Sequence, residues 1–205
     1  MAQKKTFIQV IREDFAVLVK LSVLTCIVSL PVITAGTAVL AAYSIVWKLM
    51  WDEPVELGKE FRMAFFHRIR AGILLTFVSI GLFSLWIVVL QYYLIRLEEH
   101  PIYGVMLSGA VVFGVLAASI FVYLVSVLAG SKCGLKEAVW NAILLTIAKP
   151  GRALLSVCFL GIVCVLIVWV PLHAMPFYLL FGAAGTALIV LNLTSGPIHL
   201  YLFDE

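Results

Sequence analysis

The chain has 205 residues, of which 64% are hydrophobic and only 12% are charged, with a formal net charge of +3. A soluble domain carries about a quarter charged residues, so this composition excludes an ordinary soluble globular protein. It predicts an all-α membrane protein, a polytopic helical bundle that forms a single transmembrane domain over residues 1–205. We expect the lipid bilayer as a partner and no nucleic acid.

The N-terminal quarter contains a long apolar run that is interrupted near its middle. Residues 1–14 are polar with a few apolar positions and predict the start of a helix on the cytoplasmic surface. Residues 15–51 are apolar apart from two lysines, and Pro31 and Gly36 break the helical pattern because proline removes a backbone donor and glycine loosens the chain. Each half, at about 24 and 22 Å, is short of a comfortable membrane crossing. Either one kinked span or a broken helical hairpin fits this pattern.

The distribution of lysine and arginine favours the hairpin. Cytoplasmic loops of membrane proteins carry an excess of these residues. If residues 15–51 cross the membrane once, the two sides carry 5 and 9 of them; if they form a hairpin, the sides carry 13 and 1. The second partition is far more one-sided, so we predict the hairpin, with both termini in the cytoplasm.

The break itself is the candidate structural or pore motif. Irregular backbone cannot face lipid, so it must be buried in protein, line a wet cavity, or lie at the membrane surface. We expect packing, in which the hydroxyls of Thr34 and Thr37 satisfy backbone groups that the break leaves free. Lining a polar path is the alternative. The motif consists of Pro31, Thr34, Gly36 and Thr37.

Two amphipathic stretches, 55–70 and 134–148, are predicted to be cytoplasmic interfacial helices. In each, apolar residues gather on one side of the helical wheel and most of the charged residues, Glu60 among them, lie opposite. Such helices lie in the membrane surface with basic residues toward the headgroups. A docking surface for a partner protein is the alternative. The candidate partner contacts on these stretches are Arg62, Phe65, Phe66, Arg68 and Asn141.

Four further stretches are predicted to be transmembrane helices, because each meets or approaches the roughly 20 apolar residues that a bilayer core requires. They are 71–95, 102–129, 153–170 and 172–191. The second carries small residues at a spacing of four, which permit close approach of another helix. Internal packing explains this stripe, and an oligomer or partner interface is the alternative. The stripe consists of Ala110, Gly114 and Ala118.

Signatures of enzyme chemistry are absent from the sequence. It contains no HExxH, no GxSxG, no P-loop and no GxGxxG after a strand. The four cysteines form no CxxC pair. We therefore expect no enzymatic activity, no catalytic or metal-binding residues, and no cofactor.

Several stretches together are typical of one family. The run from Ser29 to Ala38 carries the pattern Leu-Pro-x-x-Thr-x-Gly-x-Ala, and the runs 61–66 and 135–145 accompany it, as do Ala42-Tyr43 and Trp47-Lys48-Leu49. These residues resemble the YesL-like family of bacterial integral membrane proteins, also called domain-of-unknown-function family 624. The resemblance implies a multi-pass protein of the bacterial cell membrane, often encoded beside carbohydrate-uptake ABC transporters, and it implies no established activity.

The expected function is therefore that of a non-enzymatic accessory component of a bacterial carbohydrate-uptake system of the ABC type. Its partner would be the permease of a sugar importer, or a second copy of the chain. A stand-alone channel or facilitator for a small polar solute, with the break at 31–36 lining a path, is the alternative. A membrane enzyme acting on lipid or glycan is less consistent with the missing catalytic set.

The predicted topology can be tested with reporters fused after Glu205. We expect a fluorescent protein fused there to fluoresce and a phosphatase fused there to be inactive, because both termini are predicted to be cytoplasmic. Active phosphatase at this position would contradict the hairpin.

Overall fold

The computed structural model describes residues 5–131, 133–169 and 183–194, and their regular structure is entirely helical. The 3-10 turn Val32–Thr34 separates the first two α-helices. In chain order, the α-helices are α1 (Phe7–Ser29), α2 (Ala35–Met50), α3 (Leu57–His67), α4 (Ile69–Ile95), α5 (Pro101–Gly130), α6 (Leu135–Ala148), α7 (Pro150–Trp169) and α8 (Ala183–Thr194).

The first two helices lie side by side and run in opposite directions. The backbone N–H of Lys5, just before α1, donates to the carbonyl of Met50 at the end of α2, with 2.9 Å between N and O. Residues 15–51 therefore fold back on themselves. Helix α1 departs from helical geometry at Asp14, where φ is −108° and ψ is 16°. This bend lies at the predicted end of the surface segment 1–14, of which residues 1–4 lie outside the described residues.

A cluster of charges fastens the open end of this pair of helices. The Lys5 ammonium lies 2.8 Å from Asp52, 3.1 Å from Glu13 and 3.3 Å from Asp14. Hydrogen bonds, first of all the one with Asp52, raise the pKa of Lys5 above its usual value. Asp52 itself has a positive φ of 53°, which is uncommon for a residue with a side chain. The N-terminal segment is therefore tied to the loop that follows α2.

The break between α1 and α2 is closed by hydrogen bonds and by close packing against α4. The Thr34 hydroxyl lies 2.7 Å from the carbonyl oxygen of Val28 and 2.8 Å from that of Pro31, which also accepts the Thr34 N–H. Thr37 acts differently, because its hydroxyl lies 3.5 Å from the carbonyl of Ile69, near the start of α4. The N–H of Gly36 donates to the Thr76 hydroxyl of α4 at 2.9 Å.

Three described helical segments are long and apolar enough to cross a membrane. They are Val32–Met50, α4 and α5. A fourth is possible if α6 and the first part of α7, Pro150–Val163, form one broken span, although the two are bent by 103°. This supports a membrane protein with three to four candidate spans.

The remaining predicted spans are described only in part. Helix α4 includes the predicted stretch 71–95, and α5 includes 102–129. Helix α7 begins three residues before the predicted start at 153 and is described to Trp169. Most of the predicted span 172–191 lies outside the described residues, and the part that is described belongs to the short apolar helix α8.

Helix α5 is packed on several sides and organises the bundle. Its Tyr123, Val127 and Ser126 are fully buried. The Thr194 hydroxyl of α8 lies 3.1 Å from that of Ser126, and the N–H of Ala184 donates to the Ser22 hydroxyl of α1 at 3.1 Å. Helix α8 therefore packs against both α1 and α5.

Helix α6 is apolar on two sides rather than one. Ala138, Ala142, Leu145 and Thr146 are buried, which agrees with much of the predicted apolar face. The large side chains of Trp140, Leu144 and Ile147, spaced by four and three residues, are exposed and form a second apolar stripe. Both sides of α6 are therefore apolar. If the helix lies at a membrane surface, its exposed stripe also needs an apolar environment.

The close contact between α2 and α4 yields a stability prediction. A methyl group added at Gly72 would overlap the backbone of Thr37, whereas one added at Gly81 of the same helix would meet no atom within 4 Å. We expect Gly72→Ala to lower the free energy of unfolding in detergent by about 1–3 kcal/mol, because overpacking forces the helices apart. Gly81→Ala is the control, and equal losses for both variants would contradict the packing described here.

Candidate functional site

An open cleft of about 730 Å³ lies at one end of the bundle. It lies where α2 ends at Met50, α4 begins at Ile69 and α5 ends at Gly130, with α3 along one side. Its walls combine charged residues, one tryptophan and several small residues. The lining includes Trp47, Lys48, Glu53, Glu60, Met63, His67, Arg68 and Ser131.

An ion pair holds α3 against α2 inside this cleft. The Lys48 ammonium lies 2.9 Å from the Glu60 carboxylate, whose side chain is only 16% exposed. The sequence pattern predicted that Glu60 would lie on the polar outer side of the helix over 55–70. It turns inward instead, because Lys48 of a different helix supplies the opposite charge.

Arg68 separates α3 from α4 and points into the cleft. Its guanidinium donates to the carbonyl oxygen of Ser131, just after the end of α5, with 2.9 Å between N and O. The residue is half-buried, and burial lowers the pKa of the guanidinium from its usual value. Within the part of the chain that the structure describes, no carboxylate lies within ion-pair distance of Arg68.

Small residues let the end of α5 approach α2 closely. A methyl group at Gly130 would lie 2.9 Å from the Trp47 ring. The Ser44 hydroxyl lies 2.9 Å from the carbonyl oxygen of Leu40 and 3.3 Å from that of Ala129. This contact was not predicted from the sequence, where its only signal is the pair of small residues, Gly130 and Ser131, at the end of a long apolar run.

The predicted pore motif lies elsewhere. Pro31, Thr34, Gly36 and Thr37 are at the start of α2, and the cleft is at its end, about 24 Å away for a helix of 16 residues. None of the four lines this cleft. The break is a packed contact between helices in this structure.

The predicted partner contacts are divided between the surface and the interior. Arg62 is exposed, and Phe66 is 64% exposed. Phe65 is half-buried and stacks on the buried Phe61 with ring centroids 6.4 Å apart. Arg68 lies in the cleft, and Asn141 of α6 is half-buried. Only part of the predicted set is therefore available to a partner from outside.

The small-residue stripe of α5 is occupied by a tryptophan of the same chain. The Trp86 indole N–H of α4 donates to the carbonyl of Ala110 at 2.9 Å. A methyl group at Gly114 would overlap the Trp86 ring. Ala118 lines the apolar cavity of about 240 Å³ beside this contact. Internal packing therefore accounts for the Ala110 and Gly114 part of the stripe.

Metal-ligating side chains do not converge in the described residues. Among residues 5–131, 133–169 and 183–194, no three His, Cys, Asp or Glu side chains are placed to hold a metal ion. Comparison with family models, curated proteins and solved structures finds no match to this chain.

The ion pair in the cleft can be measured with a double-mutant cycle. We expect Lys48→Met and Glu60→Gln to be coupled by about 0.5–1 kcal/mol in the free energy of unfolding, because their contact is partly shielded from water. The exposed pair Lys59 and Glu56, 3.7 Å apart on the same segment, is the control and should show almost no coupling. Equal coupling in both pairs would mean that the cleft does not strengthen the interaction.

Proposed function

We propose that this chain is a non-enzymatic integral membrane protein that serves as an accessory component of a bacterial carbohydrate-uptake system of the ABC type. It would act by docking on the permease of a sugar importer. The observation that supports docking is the outer face of α3.

The outer face of α3 has the composition of a protein interface. Met63 is 54% exposed and Phe66 is 64% exposed, and the exposed Arg62 lies beside them. Arginine, methionine and aromatic residues are enriched in the cores of protein–protein interfaces, whereas lysine and glutamate are depleted there. An exposed face of this composition on a charged helix favours a protein partner over water.

The inner side of α3 is held in place by packing and by an ion pair. Phe61, on its inner face, is only 4% exposed, and Glu60 is paired with Lys48 of α2. A surface that is already ordered loses little entropy on binding, which favours affinity. The inner contacts of α3 therefore support a docking role for its outer face.

The proposed membrane arrangement places this face in the cytoplasm. It comprises the broken hairpin, four further transmembrane helices and two interfacial helices, with both termini cytoplasmic in a bacterial cell membrane. The 13-to-1 partition of lysine and arginine supports the orientation. The antiparallel contact between Lys5 and Met50 supports the hairpin, and the 103° bend supports an α6 that lies across the direction of α7.

The identity of the partner is proposed from the resemblance to the YesL-like family, whose members are often encoded beside sugar importers. The alternative, a stand-alone channel or facilitator, needs the break at 31–36 to line a polar path. Thr76 and Gly72 of α4 pack against that break instead. This contact favours the accessory role.

The docking surface can be tested by purifying the tagged chain from its native membrane in mild detergent and measuring the recovered permease by mass spectrometry. We expect Phe66→Ala to reduce recovery at least tenfold, because an exposed aromatic anchor carries much of the binding energy of an interface. Phe77→Ala is the matched control, since Phe77 is 61% exposed in the apolar band of α4. Recovery of the wild-type chain as a monomer without any permease would refute the proposal.

A further inference from the structure

The charged cleft lies at the level where three apolar segments end. Val32–Met50 and α5 end beside it, and α4 begins beside it, and these are the three candidate spans of the described residues. The polar headgroup region of a bilayer begins where the apolar length of a span stops. Side chains in this cleft are therefore placed at the depth of the lipid headgroups.

Among the residues that the structure describes, Arg68 is a cation of this cleft with no carboxylate within ion-pair distance. A guanidinium has five N–H donors, and the structure assigns one hydrogen bond to it, to the carbonyl oxygen of Ser131. Removing a charge from water is costly unless the charge is paired. Glu60 cannot serve as its counter-ion without breaking the pair with Lys48, and Glu53 is exposed, so water screens its charge.

We propose that the Arg68 guanidinium binds the phosphate group of a phospholipid headgroup in this cleft. Arginine is suited to phosphate because its planar fork presents two parallel N–H donors to two oxygens. Trp47 and Met63, which also line the cleft, offer apolar surface to the glycerol and the first part of the acyl chains. Met63 also belongs to the exposed face of α3 that is proposed for docking, but Arg68 does not, so the two proposals are tested through different residues.

The cleft also explains why a lipid fits better than a free phosphate ion. Glu53 and Glu60 line it together with Lys48 and Arg68, so its formal charge, with His67 neutral, is zero. Because these charges cancel, the site exerts little long-range electrostatic attraction on a free phosphate ion. A lipid phosphate is delivered to Arg68 by the insertion of its acyl chains into the bilayer, which supplies a large apolar contribution.

The test uses the full chain in a non-ionic detergent and measures its thermal unfolding with three probes. These are dihexanoyl phosphatidylglycerol, dihexanoylglycerol, which lacks the phosphate, and inorganic phosphate. We expect the phospholipid to raise Tm by several degrees at a concentration at which dihexanoylglycerol does not, because a ligand that binds only the folded state stabilises it. Inorganic phosphate should require at least a tenfold higher concentration.

Three variants identify the residue that is responsible. Arg68→Gln should abolish the shift with the phospholipid, Arg68→Lys should keep part of it, and Arg62→Gln, at an exposed position of α3, should keep all of it. If Arg68→Gln fails to fold, the comparison of the three probes on the wild-type chain and on Arg68→Lys still decides the question.

Each remaining outcome overturns the proposal. Equal shifts with dihexanoylglycerol and the phospholipid would mean that the phosphate is not recognised. An unchanged shift in a folded Arg68→Gln variant would mean that Arg68 only fastens the α3–α4 junction to Ser131. Inorganic phosphate acting at the same concentration as the phospholipid would show that the site takes soluble phosphate rather than lipid.

Discussion

The structure depends on how the backbone groups freed by Pro31 are satisfied away from water. Unpaired backbone groups cost several kcal/mol in an apolar environment, so a break inside an apolar run requires partners. Thr34 supplies one from within the turn, and Thr76 of α4 supplies another by accepting the N–H of Gly36. Thr76 reaches Gly36 only when α4 lies against the start of α2. The same hydrogen bond therefore fixes the position of α4 relative to α2. The absence of side chains at Gly36 and Gly72 makes this approach possible.

The other end of the bundle is built from charges rather than from close packing alone. Folding α1 back along α2 brings Lys5 to Asp52, and the chain then continues into α3, whose Glu60 meets Lys48. Arg68 follows at the junction with α4 and reaches the carbonyl of Ser131 after α5. Polar contacts are thus concentrated where the apolar helices end, because water and lipid headgroups solvate charged groups there. This separation of an apolar, tightly packed end from a charged, open end supports a role in binding at one membrane face.

The sequence predicted the helices well where a long apolar run or an amphipathic pattern defined them. The stretches 71–95 and 102–129 lie within α4 and α5, and Pro101 stands at the first turn of α5, a position proline favours. The sequence was less informative about the direction in which individual side chains point. Glu60 was expected on the outside of the helix over 55–70, and Arg68 among the partner contacts, yet both turn into the cleft. A helical wheel orders residues around one axis and contains no information about the neighbouring helix that carries Lys48 or Ser131.

From composition, apolar length and charge distribution, the sequence alone determined that this is an all-helical protein with several candidate membrane spans, a break at Pro31 and a preference for a hairpin. It also indicated that Ala110 and Gly114 leave room for a neighbour and that Gly36 belongs to the break. Only the tertiary structure decided what fills that room: Trp86, 24 residues from Ala110, and Thr76, 40 residues from Gly36. Helix formation depends on neighbouring residues in the chain, whereas the partner of a small residue depends on how whole helices pack, and many packings satisfy the same local pattern.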